Sequence, residues 1–138
     1  MDKILIDADV ILDFFFDRKP FSIESTKIIN LCEKGEIKGF VTSIILSNIA
    51  YLLQKTASQE KVISNLKMLM KFIDVTTTSK KSVLEALNSD FNDFEDALQN
   101  FSAENSEEIK VIVTRNIKDY KTSKLSIMTP ETYLKSIK

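Results

Sequence analysis

The stretch Ile4–Phe15, ILIDADVILDFF, decides the architecture. Lys3 to Ile6 is a short apolar run that ends at Asp7 and reads as a buried strand. From Val10 to Phe16 the chain stays apolar, and a short helix is expected there, stopped by Pro20. Asp7 and Asp9 interrupt the run two residues apart. On extended chain that spacing points both side chains to one side. Two carboxylates there repel each other unless a cation or a proton sits between them. A solvated surface strand would carry such a pair at little cost. The neighbours here look buried, so the pair reads as functional.

Outward from this stretch, strands and helices alternate to the end of the chain. Ser22 is placed to cap a helix with Ile23, Ile28, Leu31 and Cys32 as apolar positions, and Gly35 falls where that helix would end. Gly39–Thr42 is a strand candidate, and Ser43 is expected to cap the next helix, with Ile44, Ile45, Ile49, Leu52 and Leu53 as its stripe. Ser58 opens a further helix with Val62, Ile63, Leu66, Leu69 and Met70 inside. A strand over 72–75, a helix over 80–87 and a helix capped by Asp93 and running through Ala103 follow. Strands over 109–114 and 125–128 come next, and Thr129-Pro130-Glu131 starts a last helix with a Thr cap, Pro at the first position and an acid in the first turn. This alternation implies a central parallel sheet with helices on both faces, a three-layer α/β/α arrangement. Ligands of such sheets bind beyond the carboxyl ends of the strands. A chain of 138 residues fits a single domain over 1–138.

Composition narrows the chemistry. Histidine is absent, which removes imidazole bases and imidazole metal ligands. With one cysteine, Cys32, neither a disulfide within the chain nor an ordinary zinc site can form. Two glycines are too few for a Gly-rich phosphate loop or a dinucleotide fingerprint. A net charge of −1 argues against strong nonspecific duplex binding. It leaves nucleic acid open, since a cation bound to clustered acids reverses the local sign. No apolar run is long enough to span a membrane and the start lacks the marks of a signal peptide, so a cytoplasmic location is expected. Catalysis must lean on carboxylates, hydroxyls, Lys, Arg or a hard metal held by oxygen.

Two further acids stand where such a sheet places its chemistry. Asp96, in DFNDFEDALQ, opens a helix, although Asp93 and Glu95 beside it also suit an ordinary helix cap. Asp119, in TRNIKDYK, follows the strand IKVIVT; alone it would read as a turn residue. Together with Asp7 and Asp9 they form an oxygen-only set that suits Mg²⁺ or Mn²⁺.

The sequence resembles the PIN-domain family along nearly its whole length. ILIDADVILDFF is similar to that family's first motif, TSIILSNIAYLLQK to the helix after its second strand, DFEDALQ to its third motif, and IVTRNIKDYKTSKLSIMTPETYL to its closing stretch. The resemblance implies a four-acid site that binds one or two divalent cations and cleaves single-stranded RNA. It places Asp7 as the first acid, Asp96 as the third and Asp119 as the fourth. Asp9 falls where the family has Asp or Asn, and Asn116 at a polar position near the fourth acid. The second acid, usually Glu, aligns with Asn48, which brings an oxygen but no charge. Asn48 also reads as a plain polar residue on a helix face. Compact members of the family are often VapC-type toxins that pair with a small antitoxin and form homodimers.

The expectation is metal-assisted phosphodiester hydrolysis, with Asp7, Asp96 and Asp119 catalytic and holding Mg²⁺ or Mn²⁺. Asp9 and Asn48 complete the metal set. Asn116, Arg115 and Lys118 are placed to contact RNA, with Lys121 nearby; the three cations also read as ordinary solvated charges. Two rivals stand beside this reading. One is a catalytically weak or inactive PIN-like module that binds RNA or protein, favoured by Asn48. The other is a haloacid-dehalogenase-like phosphatase, suggested by Asp7-Ala8-Asp9-Val10.

Overall fold

The computed structural model describes residues 1–106 and 108–137. In chain order its elements are β1 (Asp2–Ile6), α1 (Ala8–Phe16), α2 (Phe21–Glu33), β2 (Ile37–Thr42), α3 (Ser43–Leu53), α4 (Gln59–Leu69) and β3 (Ile73–Thr76). Then come α5 (Lys80–Leu87), α6 (Phe94–Asn105), β4 (Val111–Val113), a 3₁₀ helix (Ile117–Tyr120), β5 (Ser126–Met128) and α7 (Pro130–Ser136). The five strands form one parallel sheet in the order β3-β2-β1-β4-β5, as the alternation of elements implies. Helices flank the sheet: α2 packs with α1 and α7, α3 with α1 and α4, and α5 with α6.

Strand β1 is central because its apolar residues can be buried on both faces. Ile4, Leu5 and Ile6 are fully buried between the neighbours β2 and β4. The chain leaves β1 for β2 on one side, while β4 lies on the other. The carboxyl end of β1 is therefore the point where strand order reverses, the place where open α/β sheets open a crevice. Asp7 stands there, its backbone N–H donating to the Val113 carbonyl at 3.0 Å.

Both glycines are fixed by geometry. Gly35 follows α2 with φ +76, and its N–H returns to the Cys32 carbonyl at 3.0 Å, a helix stop that only a residue tolerant of positive φ makes cheaply. At Gly39 in β2, a Cβ would lie 2.8 Å from Ile6 Cδ1, 2.8 Å from Ile73 Cδ1 and 2.9 Å from Cys32 Sγ. The bare backbone lets α2 close on the sheet at this point.

Several expected boundaries move. Helix α1 starts at Ala8 with Asp7 as its cap, and it ends at Asp17 in the left-handed conformation, short of Pro20. Pro20 instead precedes α2, so Ser22 is not its cap: it lies inside the helix, buried, and its hydroxyl donates to Asp17 Oδ1 at 2.8 Å. The cap of α3 is Thr42 rather than Ser43, with Thr42 Oγ1 accepting from the Ile45 N–H. Ile23, Ile63 and Met70, expected inside, are exposed, and Ile28, Ile29, Val62 and Leu69 form the buried faces of their helices. Ser58, Ser79, Asp93 and Thr129 each cap the helix that follows.

Candidate active site

Asp7 is buried and held by three donors. The Ala8 N–H donates to Oδ1 at 2.8 Å, while the Thr114 hydroxyl and the Tyr120 phenol donate to Oδ2 at 2.9 and 3.2 Å. Burial nevertheless pushes its pKa above the ordinary carboxylate value; these bonds oppose the rise and the charge of Asp119 adds to it. Tyr120 is itself buried, and burial with the charges of Asp7 and Asp96 drives its phenol far above the usual range, so it stays a donor.

Asp9 sits two residues on, in the first turn of α1. Its Oδ2 accepts from the Arg115 backbone N–H at 3.1 Å and from Asn116 Nδ2 at 3.1 Å, with the Thr114 hydroxyl 3.4 Å away. A hydroxyl carries one proton, and the shorter contact gives it to Asp7. Asp9 Oδ1 is buried and meets no hydrogen-bond donor. Burial first, then the charge of Asp7, raise the Asp9 pKa to about 7.

Asp96 lies in the first turn of α6, half-buried. Burial is the largest cause that lifts its pKa to about 7, and Asp7, Asp93, Asp119 and Glu95 add their repulsion. Asp119, on the 3₁₀ helix, is exposed. Asp7 at the end of β1, Asp96 at the start of α6 and Asp119 on the 3₁₀ helix thus come near one another: the charge of Asp119 reaches Asp7, and the charges of Asp7 and Asp119 reach Asp96. Asn48, on α3, does not present a bare amide: its Nδ2 donates to Glu95 Oε1 at 2.9 Å.

Arg115, expected to contact RNA, has a structural use in the fold. Its Nε and Nη2 grip the fully buried Asp13 at 2.6 and 3.1 Å, and its guanidinium carbon lies 4.0 Å over the ring of Phe21. Asn116 spends its amide on Asp9. Lys118 and Lys121 are exposed beside Asp119.

The chemistry of this group fits a hard divalent cation. The candidate ligand atoms are all oxygen, the acids Asp7, Asp93, Asp119 and Glu95 crowd Asp96 with negative charge, and Asp9 Oδ1 is orphaned in the interior. Among the described residues no three acidic or Cys side chains stand close enough to cage an ion by themselves. Mg²⁺ takes one or two carboxylates and keeps several waters, so the group suits a water-rich ion.

A PIN domain family model matches residues 3–118. The chain belongs to the PIN domain family. The resemblance read from the four motifs is borne out. This PIN domain is 25% identical to Ribonuclease VapC1 of Aquifex aeolicus (strain VF5), over 96% of this chain and 93% of that one. Its fold is similar to that of a toxin–antitoxin complex from Klebsiella pneumoniae (TM-score 0.67, 18% identity, 92% of this chain and 97% of that one). It is also similar to VapBC2 from Rickettsia felis bound to a promoter DNA fragment (TM-score 0.65, 15% identity, 91% and 96%). A third likeness is to VapC20 of Mycobacterium tuberculosis, a sarcin–ricin loop cleaving toxin (TM-score 0.61, 12% identity, 79% and 86%).

Sequence reasoning missed Thr114, Tyr120 and Glu95 in this PIN domain. Thr114 and Tyr120 bracket Asp119 in one short segment, and both carry hydroxyls that reach Asp7 across more than a hundred residues of chain. Glu95 read as a dipole-matched helix residue; its bond to Asn48 has no local signal.

Proposed function

We propose that this PIN domain is a Mg²⁺- or Mn²⁺-dependent endoribonuclease acting on single-stranded RNA, and that it is the toxin of a toxin–antitoxin pair. The observation that carries the reading is that the charges of Asp7 and Asp119 reach Asp96 near the reversal point of the sheet, where Asp9 Oδ1 lies buried without a hydrogen-bond donor. Likeness to Ribonuclease VapC1 and to toxin–antitoxin structures supports it.

In this reading Asp7, Asp96 and Asp119 hold the cation, directly or through water, with Asp9 beside them. A divalent cation bound there supplies a nucleophile at neutral pH and offsets charge on the phosphate. Thr114, Tyr120 and the Ala8 N–H fix the rotamer of Asp7. Asn116 and the Arg115 N–H fix Asp9. Lys118 is placed to meet an RNA phosphate next to Asp119. A small antitoxin chain is the expected protein partner, and a homodimer the expected assembly. No helix among the described residues is long and apolar enough to cross a membrane; a cytoplasmic site of action is part of the proposal.

The test is cleavage of a single-stranded RNA pool by the purified protein with Mg²⁺, with Mn²⁺ and with a chelator. Cation-dependent cleavage that is lost in Asp7→Asn and Asp96→Asn is expected. RNA binding without cleavage under every cation would replace the proposal with the binding-module reading, which Asn48 favours by bringing no charge to the site.

A further inference from the structure

Asn48 and Glu95 belong to different helices, α3 and α6, and they are hydrogen-bonded to each other one residue from Asp96. An exposed Glu in a first helical turn needs no partner, since the helix dipole already suits it. Here the Glu95 backbone N–H is taken by Asp93 Oδ1 at 2.8 Å, while the Glu95 side chain reaches across to α3. The Asn48 amide restrains that side chain yet leaves its charge whole, because Asn is a neutral donor. Glu95 precedes Asp96, and its charge is among those that reach the Asp96 carboxyl.

A second observation points to a ligand at the acid cluster. Gln99 lies three residues after Asp96, on the same face of α6. It is 3% exposed, and its Oε1 meets no hydrogen-bond donor. Asp9 Oδ1 is likewise buried without a donor. Buried oxygens are rarely left so, and at Asp9, beside Asp7, a cation or its water would satisfy Oδ1. Orphaned acceptors and surplus negative charge both ask for a positively charged guest.

We infer that Glu95, restrained by Asn48, is a positioning residue that gives the α3 side of this cluster the negative charge Asn48 lacks, and so strengthens divalent cation binding. The inference rests on the reading of the cluster as a cation site. It makes the Asn at position 48 half of a two-helix unit and accounts for a site that binds its cation with no acid on α3.

The test is calorimetric titration of the whole protein with Mn²⁺ alone, for the unaltered chain, Glu95→Gln, Asn48→Glu/Glu95→Gln and Asp96→Asn, with circular dichroism to show that each is folded. Glu95→Gln is expected to weaken Mn²⁺ binding about tenfold, the size typical of outer partners of a metal site. The double variant exchanges donor and acceptor, so an amide on α6 faces a carboxylate on α3; it is expected to recover most of the loss. Asp96→Asn is expected to weaken binding more than Glu95→Gln. Unchanged binding in Glu95→Gln with a clear loss in Asp96→Asn would overturn the role of Glu95 and leave the cation site standing. A double variant as weak as Glu95→Gln would overturn the pairing with Asn48. Unchanged binding in Asp96→Asn would remove the cation site, and the inference with it.

Discussion

Arg115→Met is expected to destabilise the fold by about 3 kcal/mol. Asp13 is fully buried on α1, and Arg115 grips both of its oxygens, at 2.6 Å through Nε and 3.1 Å through Nη2. Arg18 is the other cation in reach, at 3.4 Å and with a side chain 42% exposed. Removing one partner of a buried pair costs about 3–5 kcal/mol, because the remaining charge is left without compensation. Arg18 keeps some of that compensation, which sets the figure at the lower end. Lost stacking on Phe21, 4.0 Å from the guanidinium, works in the other direction and is worth about 0.5–1 kcal/mol. Against a typical total of about 5–15 kcal/mol, this is a large share, and on the order of 10 °C in Tm. The assay is urea unfolding followed by circular dichroism. Arg115→Met/Asp13→Asn, which removes both charges, is expected to regain most of the loss. Arg115→Lys should fall between, since it keeps the charge and loses the planar fork. A loss below about 0.5 kcal/mol in Arg115→Met, the range of ordinary surface changes, would refute the account of Asp13 as a charge sustained by Arg115. So would a double variant less stable than the single one.

Two further outcomes follow from the same geometry. Gly39→Ala is expected to cost about 1–3 kcal/mol in the same unfolding assay, since its Cβ would press on Ile6, Ile73 and Cys32 at once; an unchanged midpoint would show that α2 is not closely seated there. In cation-free buffer, Asp9 and Asp96 bind their protons more tightly folded than unfolded, with pKa values lifted from 3.8 to about 7. Their contribution is complete below about pH 4 and is lost as pH rises through about 7, so Tm should fall from pH 5 to pH 8, and Mn²⁺ should reverse the fall. A Tm that rises across that interval without cation would show that these carboxyls are not raised.

What was legible in the sequence was what local chemistry encodes. Ile4–Ile6 are apolar on both faces of a strand, and that alone places β1 inside a parallel sheet. Gly35, Ser58, Asp93 and Thr129 announce helix ends because a cap is satisfied within three residues. Where two neighbouring residues offer the same group, as Thr42 and Ser43 do, the pattern cannot choose between them, and the backbone conformation at Thr42 decides. Asp7 and Asp119 were legible because strand ends are where such sheets gather their chemistry. Asp96 was legible only in their company, since its surroundings also spell a helix cap. The structural role of Arg115 was hidden because its partner, Asp13, lies more than a hundred residues away, and nothing near it in sequence marks a buried acid in need of a cation. Tyr120 and Thr114 were hidden for the same reason.

The strand order has a consequence for the newly made chain. β1 is made before the other strands of its sheet, yet one of its two edges stays bare until Val111–Val113 has been made. Parallel pairing of this kind depends on contacts distant in sequence and forms late. The groups that hold Asp7, namely Thr114 and Tyr120, arrive with the same final segment. A nascent chain that has passed α6 therefore carries Asp7, Asp9 and Asp96 in its length but lacks Thr114 and Tyr120, which hold Asp7, and Arg115 and Asn116, which hold Asp9. The segment from Val111 on completes the arrangement when it docks along β1, so a polypeptide that ends between α6 and β4 carries Asp7, Asp9 and Asp96 without Asp119 and without the hydroxyls that hold Asp7.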